Sequence, residues 1–197
     1  MLEKVSDWDE SLFLWLNQYH SDFLDPIMYT LTQTYPWIPF YIFLIFLVWK
    51  AYGKQGWWVI LGVLFSILLA DQITSSVMKP FFERLRPCHE EFLNGMIHNY
   101  GKCGGMYGFA SSHAANSFAI ATAMYLGLSV KYPAVKWLFL WAVFFSYTRI
   151  YLGVHYPGDV IVGGIVGTLS GMAGYHLFHF IYNILRMRGA LEKIKTD

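Results

Sequence analysis

Residues Thr148–Asp159 read TRIYLGVHYPGD, and they set an arginine, a histidine and an aspartate between two long apolar segments. Arg149 precedes His155 by six positions, and Asp159 follows it by four. Ionisable groups at the lip of an oily segment are costly to keep, which makes them functional candidates. A neutral imidazole is a nucleophile or a base near neutral pH. A carboxylate one helical turn away can hold one ring nitrogen and leave the other aimed outward. The arginine offers a planar fork suited to phosphate oxygens. Pro157 and Gly158 predict a helix start just after His155, whose free amides favour an anion. Taken alone, the stretch reads equally well as an interfacial cluster that caps a helix.

The rest of the chain makes the apolar flanks membrane segments. Of 197 residues, 56% are hydrophobic and 14% charged, against about 25% charged in soluble domains. The length suits one domain, 1–197. A net charge of +1 gives no reason to expect nucleic-acid binding. The first ten residues hold one lysine and four acids, which is not the basic start of a cleaved signal peptide.

Residues 7–20 place Leu12, Trp15, Leu16 and Tyr19 on one helical face and predict an amphipathic helix in the membrane interface. Asp22, Asp25 and Pro26 mark a turn and a fresh helix start. Spans are expected over 26–49, kinked at Pro36 and Pro39, then over 57–78, 113–130, 137–147 with room to extend to 152, and 157–185. The expected fold is therefore an all-α polytopic bundle of about five transmembrane helices plus the interfacial helix. Asp71 and Gln72, inside the second span, are expected to hydrogen-bond a neighbouring helix rather than to line a path. Gly163, Gly167 and Gly171 recur every four residues and predict close helix packing in lipid.

Lysine and arginine placement sets the expected orientation. Lys50, Lys54, Lys131, Lys136 and a basic tail over 186–197, with Arg186, Arg188, Lys193 and Lys195, fall on one side, the cytoplasmic one. Lys4 falls on the other side, and Trp49, Trp57, Trp58 and Trp137 mark the cytoplasmic boundary as an aromatic belt. The 79–112 loop then faces outward together with His155. Cys88 and Cys103 lie in that loop, and an oxidising compartment favours a disulfide, ahead of free thiols and of a metal site built with His89 or His98. The other histidines, His176 and His179 among them, read as structural or interfacial.

Three polar clusters thus share one face. The first, KPFFERLRP, carries Lys79 and Arg86-Pro87; the second, ASSHAANS, carries Ser111, Ser112 and His113; the third is the stretch quoted above. Together they resemble the signature of the type 2 phosphatidic acid phosphatase superfamily over about residues 57–180. That signature is a lysine, six residues, Arg-Pro; then Pro-Ser-Gly-His; then Ser-Arg, five residues, His, three residues, Asp. Lys79, Arg86 and Pro87 meet the first part in full. Ser111 and His113 match the second, with Ala110 for proline and Ser112 for glycine. Arg149, His155 and Asp159 match the third, with Thr148 for serine.

The resemblance implies a membrane lipid phosphatase that needs no metal or cofactor. His155 looks like the nucleophile that forms a phosphohistidine, Asp159 its orienting carboxylate, and His113 the acid for the leaving oxygen. Lys79, Arg86, Ser111 and Arg149, with the Ser112 amide, look like the phosphate ligands. The implied partner is a phosphorylated membrane lipid within the bilayer, in a bacterial inner membrane, with the site facing the periplasm or outside. Undecaprenyl diphosphate is the preferred substrate among phosphatidylglycerophosphate, phosphatidate and a lipid A phosphate. A lipid phosphotransferase, or a lipid-phosphate binding or transport protein, is the alternative.

Overall fold

The computed structural model describes residues 2–196 along the backbone and the side chains of residues 7–188. The expectations for Lys4, Lys193 and Lys195 lie outside the described residues. Outside its loops, of which 83–111 is the longest, the chain is helical, with no strand among the described residues. The helices are α1 (Leu2–Asn17), α2 (Asp25–Leu31), α3 (Ile38–Tyr52), α4 (Trp57–Asp71), α5 (Lys79–Phe82), α6 (Ser112–Leu128), α7 (Leu138–Tyr151) and α8 (Pro157–Thr196). Two continuous helical stretches, Tyr35–Phe82 and Pro157–Arg188, are long and apolar enough to cross a membrane. The helices also present large apolar side chains outward, among them Ile42, Leu68, Leu140 and Ile165, a surface suited to lipid rather than water.

Several expected boundaries move. The first span does not begin at Pro26, because α2 ends at Leu31 and a separate helical stretch starts at Tyr35. Pro36 and Pro39 do not kink a helix interior; both sit in first turns, where a missing N–H costs no hydrogen bond. The N-terminal helix ends at Asn17, not at residue 20. Its Leu12 and Trp15, and Tyr19 just beyond it, face outward, while Asp9, Phe13 and Asn17, spaced four apart, form the stripe that docks on the bundle. Lys79 belongs to a helix end rather than to a loop. From Gln72 to Met78 the second span is π-helical and runs straight into α5, whose Pro80 again lies in a first turn. Lys79 follows the π segment directly, and its Nζ reaches Ser112 at the start of α6; π segments are frequent at functional sites.

The bundle is held by α4, α6 and α8 at close quarters. A Cβ on Gly163 would lie 2.4 Å from the Ser111 carbonyl oxygen, and one on Gly167 would press into the Ala115 backbone. A Cβ on Gly171 would meet Thr122. Only hydrogen fits at these crossings, so the glycine repeat packs helices as small residues do in lipid. Asp71 accepts a hydrogen bond from Asn116 Nδ2 (3.4 Å), joining α4 to α6. At one end of the bundle, Lys131 Nζ donates to the Ala51 carbonyl and lies over the Tyr52 ring. The two short basic loops therefore meet there. At the other end, α6 and α8 begin and α7 finishes.

Candidate active site

The loop between α5 and α6 supplies two arginines by local geometry. Arg86 N donates to the Met106 carbonyl (3.1 Å) and Gly108 N to the Arg84 carbonyl (2.8 Å), about an antiparallel bridge between Leu85 and Tyr107. In an extended segment, residues two apart point the same way, so Arg84 and Arg86 both face the start of α8. A Cys88–Cys103 disulfide closes the loop behind them. Gly108 has no side chain to hold the backbone away; a Cβ there would sit 3.1 Å from Asp159 Oδ2 and 3.5 Å from His155 Nδ1.

His155 is fully buried, in the turn between α7 and α8. Its Nδ1 lies 3.3 Å from Asp159 Oδ2, which also accepts from the Tyr156 amide (3.0 Å). Its Nε2 lies 3.3 Å from Arg86 Nη1. With Nδ1 protonated against the carboxylate, the lone pair sits on Nε2 and faces the guanidinium. Burial first, then the positive charges of Arg86, Arg149 and Lys79, hold the His155 imidazole well below its ordinary value. The ring is therefore neutral, the form a nucleophile needs.

Lys79, Arg86 and Arg149 all act electrostatically on both His155 and His113. Among the described residues, none of the three cations forms an ion pair. Arg86 Nε and Arg149 Nε are buried without a hydrogen-bond partner. Such groups ask for an anion that the protein itself does not supply. Arg149 is steadied by Nη1 donating to Thr32 Oγ1 (2.8 Å), so α2 helps to place it. Among the described residues, no group of three or more His, Cys, Asp and Glu side chains is gathered as metal ligands would be.

The second cluster divides its work. Ser111 caps α6 by accepting from the Ala114 amide (3.5 Å), and its own amide donates to the Asp159 carbonyl (3.0 Å). The starts of α6 and α8 are thereby tied together. Ser112 turns the other way: its Oγ accepts from Lys79 Nζ (2.8 Å) and lies 3.0 Å from both Thr74 Oγ1 and Ser75 Oγ. The hydroxyl in the signature's glycine position therefore holds Lys79. Thr148 is buried and donates to the Phe145 carbonyl, away from the cluster. His113 stacks on Phe145 and heads an apolar cavity of about 500 Å³. That cavity runs between α3, α4, α6 and α7, past Leu44, Val63, Ile67, Met124 and Trp141.

Residues 56–182 match the family model described as the PAP2 superfamily. The chain belongs to the PAP2 superfamily. It is 35% identical over 182 residues to a lipid A 4'-phosphatase of Bacteroides thetaiotaomicron, covering 91% of this chain and 80% of that one. It is 29% identical over 171 residues to an undecaprenyl-diphosphatase of Sulfolobus acidocaldarius, covering 84% and 76%. Among solved structures, the crystal structure of Aquifex aeolicus LpxE superimposes with a TM-score of 0.64 at 27% identity, covering 83% of this chain and 92% of that one. This chain is thus a membrane-bound phosphatase of the PAP2 lipid phosphatase family.

The sequence pattern pointed to eight PAP2 site residues, and the fold brings them to one end of the bundle. It did not point to Arg84, Asp9 or Thr32. Arg84 was readable in principle, two residues before Arg86 in a segment that must be extended to reach Pro87. Asp9 carried only a four-residue spacing to Phe13 and Asn17, which any amphipathic helix can show.

Proposed function

We propose that the protein hydrolyses the 4'-phosphate of a lipid A-type glycolipid through a phosphohistidine on His155. The observation that carries this reading is the gathering of three unpaired cations, Lys79, Arg86 and Arg149, around a neutral histidine backed by Asp159. Their charges stabilise the equatorial oxygens of the phosphoryl group as charge develops, at no cost of reorganisation. The amides at the start of α6, with Ser111, add donors. Nε2 of His155 attacks phosphorus, the bond to the leaving oxygen breaks, and His113 gives that oxygen a proton. The bound phosphate dianion favours the protonated form of His113 that this step uses. A water then attacks phosphorus, the N–P bond breaks, and His113 takes the proton of the water. Asp159 holds the Nδ1 proton and steadies the imidazolium that develops.

The apolar cavity headed by His113 supports a lipid substrate, because hydrocarbon next to the leaving group can lie there out of water. The identity to a lipid A 4'-phosphatase, higher and longer than that to the undecaprenyl-diphosphatase, moves the substrate preference from the polyprenyl diphosphate to the glycolipid monoester. The diphosphate stays as the second reading, favoured by that second relative. In this proposal five spans cross a bacterial inner membrane. The short basic loops face the cytoplasm and His155 faces the periplasm, as the lysine placement favours.

Phosphate release by the purified protein in detergent, with EDTA, tests the reading on a lipid A 4'-phosphate, undecaprenyl diphosphate, phosphatidate and phosphatidylglycerophosphate. The glycolipid is expected to be fastest, and His155→Ala and His113→Ala are expected to be inactive while still folding. Near-normal turnover by either variant sinks the mechanism, and a faster rate on the diphosphate moves the substrate to the second reading.

A further inference from the structure

Arg84 is outside the three signature clusters in role, and Asp9 lies outside the matched family region altogether, yet both connect to His155 through Asp159. Arg84 Nη1 donates to Asp159 Oδ1 at 3.0 Å, the oxygen that does not face His155. Arg84 Nη2 lies 2.8 Å from Asp9 Oδ2. The other Asp9 oxygen accepts from the Gly158 amide at 2.7 Å, at the very start of α8. The guanidinium carbon lies 4.1 Å above the Tyr156 ring, which in turn packs on Phe13 of α1. A Cβ at Gly158 would fall 2.7 Å from Asp9 Oδ2, so the contact needs glycine there. The result is an unbroken line of alternating charge: Asp9, Arg84, Asp159, then the His155 ring.

We propose that Asp9 and Arg84 are positioning residues, by which the N-terminal amphipathic helix sets the orientation and basicity of the nucleophilic His155 through Asp159. This rests on the reading of His155 as nucleophile. A buried carboxylate that supports an imidazole is weakened as a support when a bare cation sits on its far oxygen. Asp9 supplies the counter-charge that keeps Arg84 from neutralising Asp159, while Arg84 fixes the carboxylate plane. His155 is also faced by Arg86 from the loop, Lys79 from α5, His113 from α6, Arg149 from α7 and the Gly108 backbone. Tyr156, beside Arg84, is faced by Glu10 and Glu90. Arg84 contacts Asp159 directly, and Asp9 contacts Arg84.

The sign of each change is fixed by this order. Removing the charge of Asp9 leaves Arg84 wholly on Asp159, lowers the proton affinity of the histidine–aspartate pair and moves the acid limb of kcat/KM to lower pH. Removing the charge of Arg84 does the reverse. A part that served only to hold α1 in place would move neither limb.

The test compares phosphate release by wild type, His155→Ala, Asp9→Asn, Asp9→Glu and Arg84→Gln across pH, on whichever panel lipid the wild type cleaves fastest. For Asp9→Asn and Arg84→Gln, kcat is expected to fall on the order of ten- to a hundredfold, with KM held within about twofold. Their acid limbs are expected to shift by at least about half a pH unit, in opposite directions. Asp9→Glu is expected to recover most of the loss. Limbs that stay put, or shift together, overturn the proposal while leaving His155 as nucleophile. Turnover by His155→Ala, or none by wild type, overturns the underlying reading instead. Should Asp9→Asn fail to fold, Arg84→Lys decides: it keeps the charge but lacks the fork that spans two carboxylates. A reduced kcat at constant KM then supports the proposal, and an unchanged kcat overturns it.

Discussion

Replacing Gly163 by alanine is expected to perturb catalysis through packing, since the nearest neighbours of a Cβ there are the Ser111 backbone and Ala114. The added Cβ would lie 2.4 Å from the Ser111 carbonyl oxygen, where ordinary contact begins at 3.4 Å, so α6 and α8 must part by about 1 Å. The obstacle is backbone at the cap of α6, which cannot swing aside as a flexible side chain would. At that crossing the Ser111 amide binds the Asp159 carbonyl at 3.0 Å, two residues before His113 and four after His155 along the chain. A misplacement near 1 Å costs on the order of a hundredfold in rate, and overpacking of this kind costs about 1–3 kcal/mol of stability. The assay is kcat/KM for phosphate release, beside thermal unfolding in the same detergent. Gly105→Ala is the control, because a Cβ there meets nothing within 4 Å. A Gly163→Ala enzyme with the kcat/KM of wild type would refute the view that this crossing sets the distance between the acid and the nucleophile.

Ser112→Gly restores the residue of the PAP2 signature but removes the 2.8 Å partner of Lys79; kcat/KM is expected to fall roughly fivefold, the worth of about 1 kcal/mol, and a gain in rate refutes the anchoring role. Because the folded value of His155 lies below its unfolded value of about 6.5, only the unfolded chain binds that proton on acidification. Stability is thus expected to fall as pH drops below about 6.5, while kcat/KM, corrected for ionisation of the substrate phosphate, holds until lower pH; an acid limb at or above that value contradicts the neutral ring. Asn17 Nδ2 donates to the carbonyls of Ile150 (3.1 Å) and Tyr151 (3.0 Å) at the end of α7. Asn17→Ala strands these buried acceptors and is expected to cost about 1–3 kcal/mol, read as a lower unfolding temperature. Reduction of Cys88–Cys103 is expected to remove roughly 3 kcal/mol in the chain-entropy model and to lower thermal stability more than turnover; free thiols found by mass spectrometry in native membranes contradict the bond.

Much of the site was legible because its parts are local. Lys79 with Arg86, Ser111 with His113, and Arg149 with His155 and Asp159 each occupy one short stretch, with polar residues standing out against apolar flanks. The long apolar runs gave the helices for the same reason: a backbone in lipid must satisfy its hydrogen bonds internally, so composition alone dictates helix. Boundaries were harder to read. The separation of α2 from α3 falls on the polar run Thr32-Gln33-Thr34, which a single span from Pro26 passes over, and no local pattern tells the π-helical turn over Gln72–Met78 from an α-helix.

What the sequence by itself determined is an all-helical membrane chain whose candidate site residues stand in three ordered clusters. Hydrophobic patterning and residue chemistry are properties of short segments and need no fold to be read. Only the tertiary structure decided that Ser112 holds Lys79, that Thr32 steadies Arg149, and that Asp9 meets Arg84 behind Asp159. These contacts join residues far apart in the chain. Each depends on how separate helices are placed against one another, α5 on α6, α2 on α7 and α1 on the start of α8, and no local pattern encodes those distances.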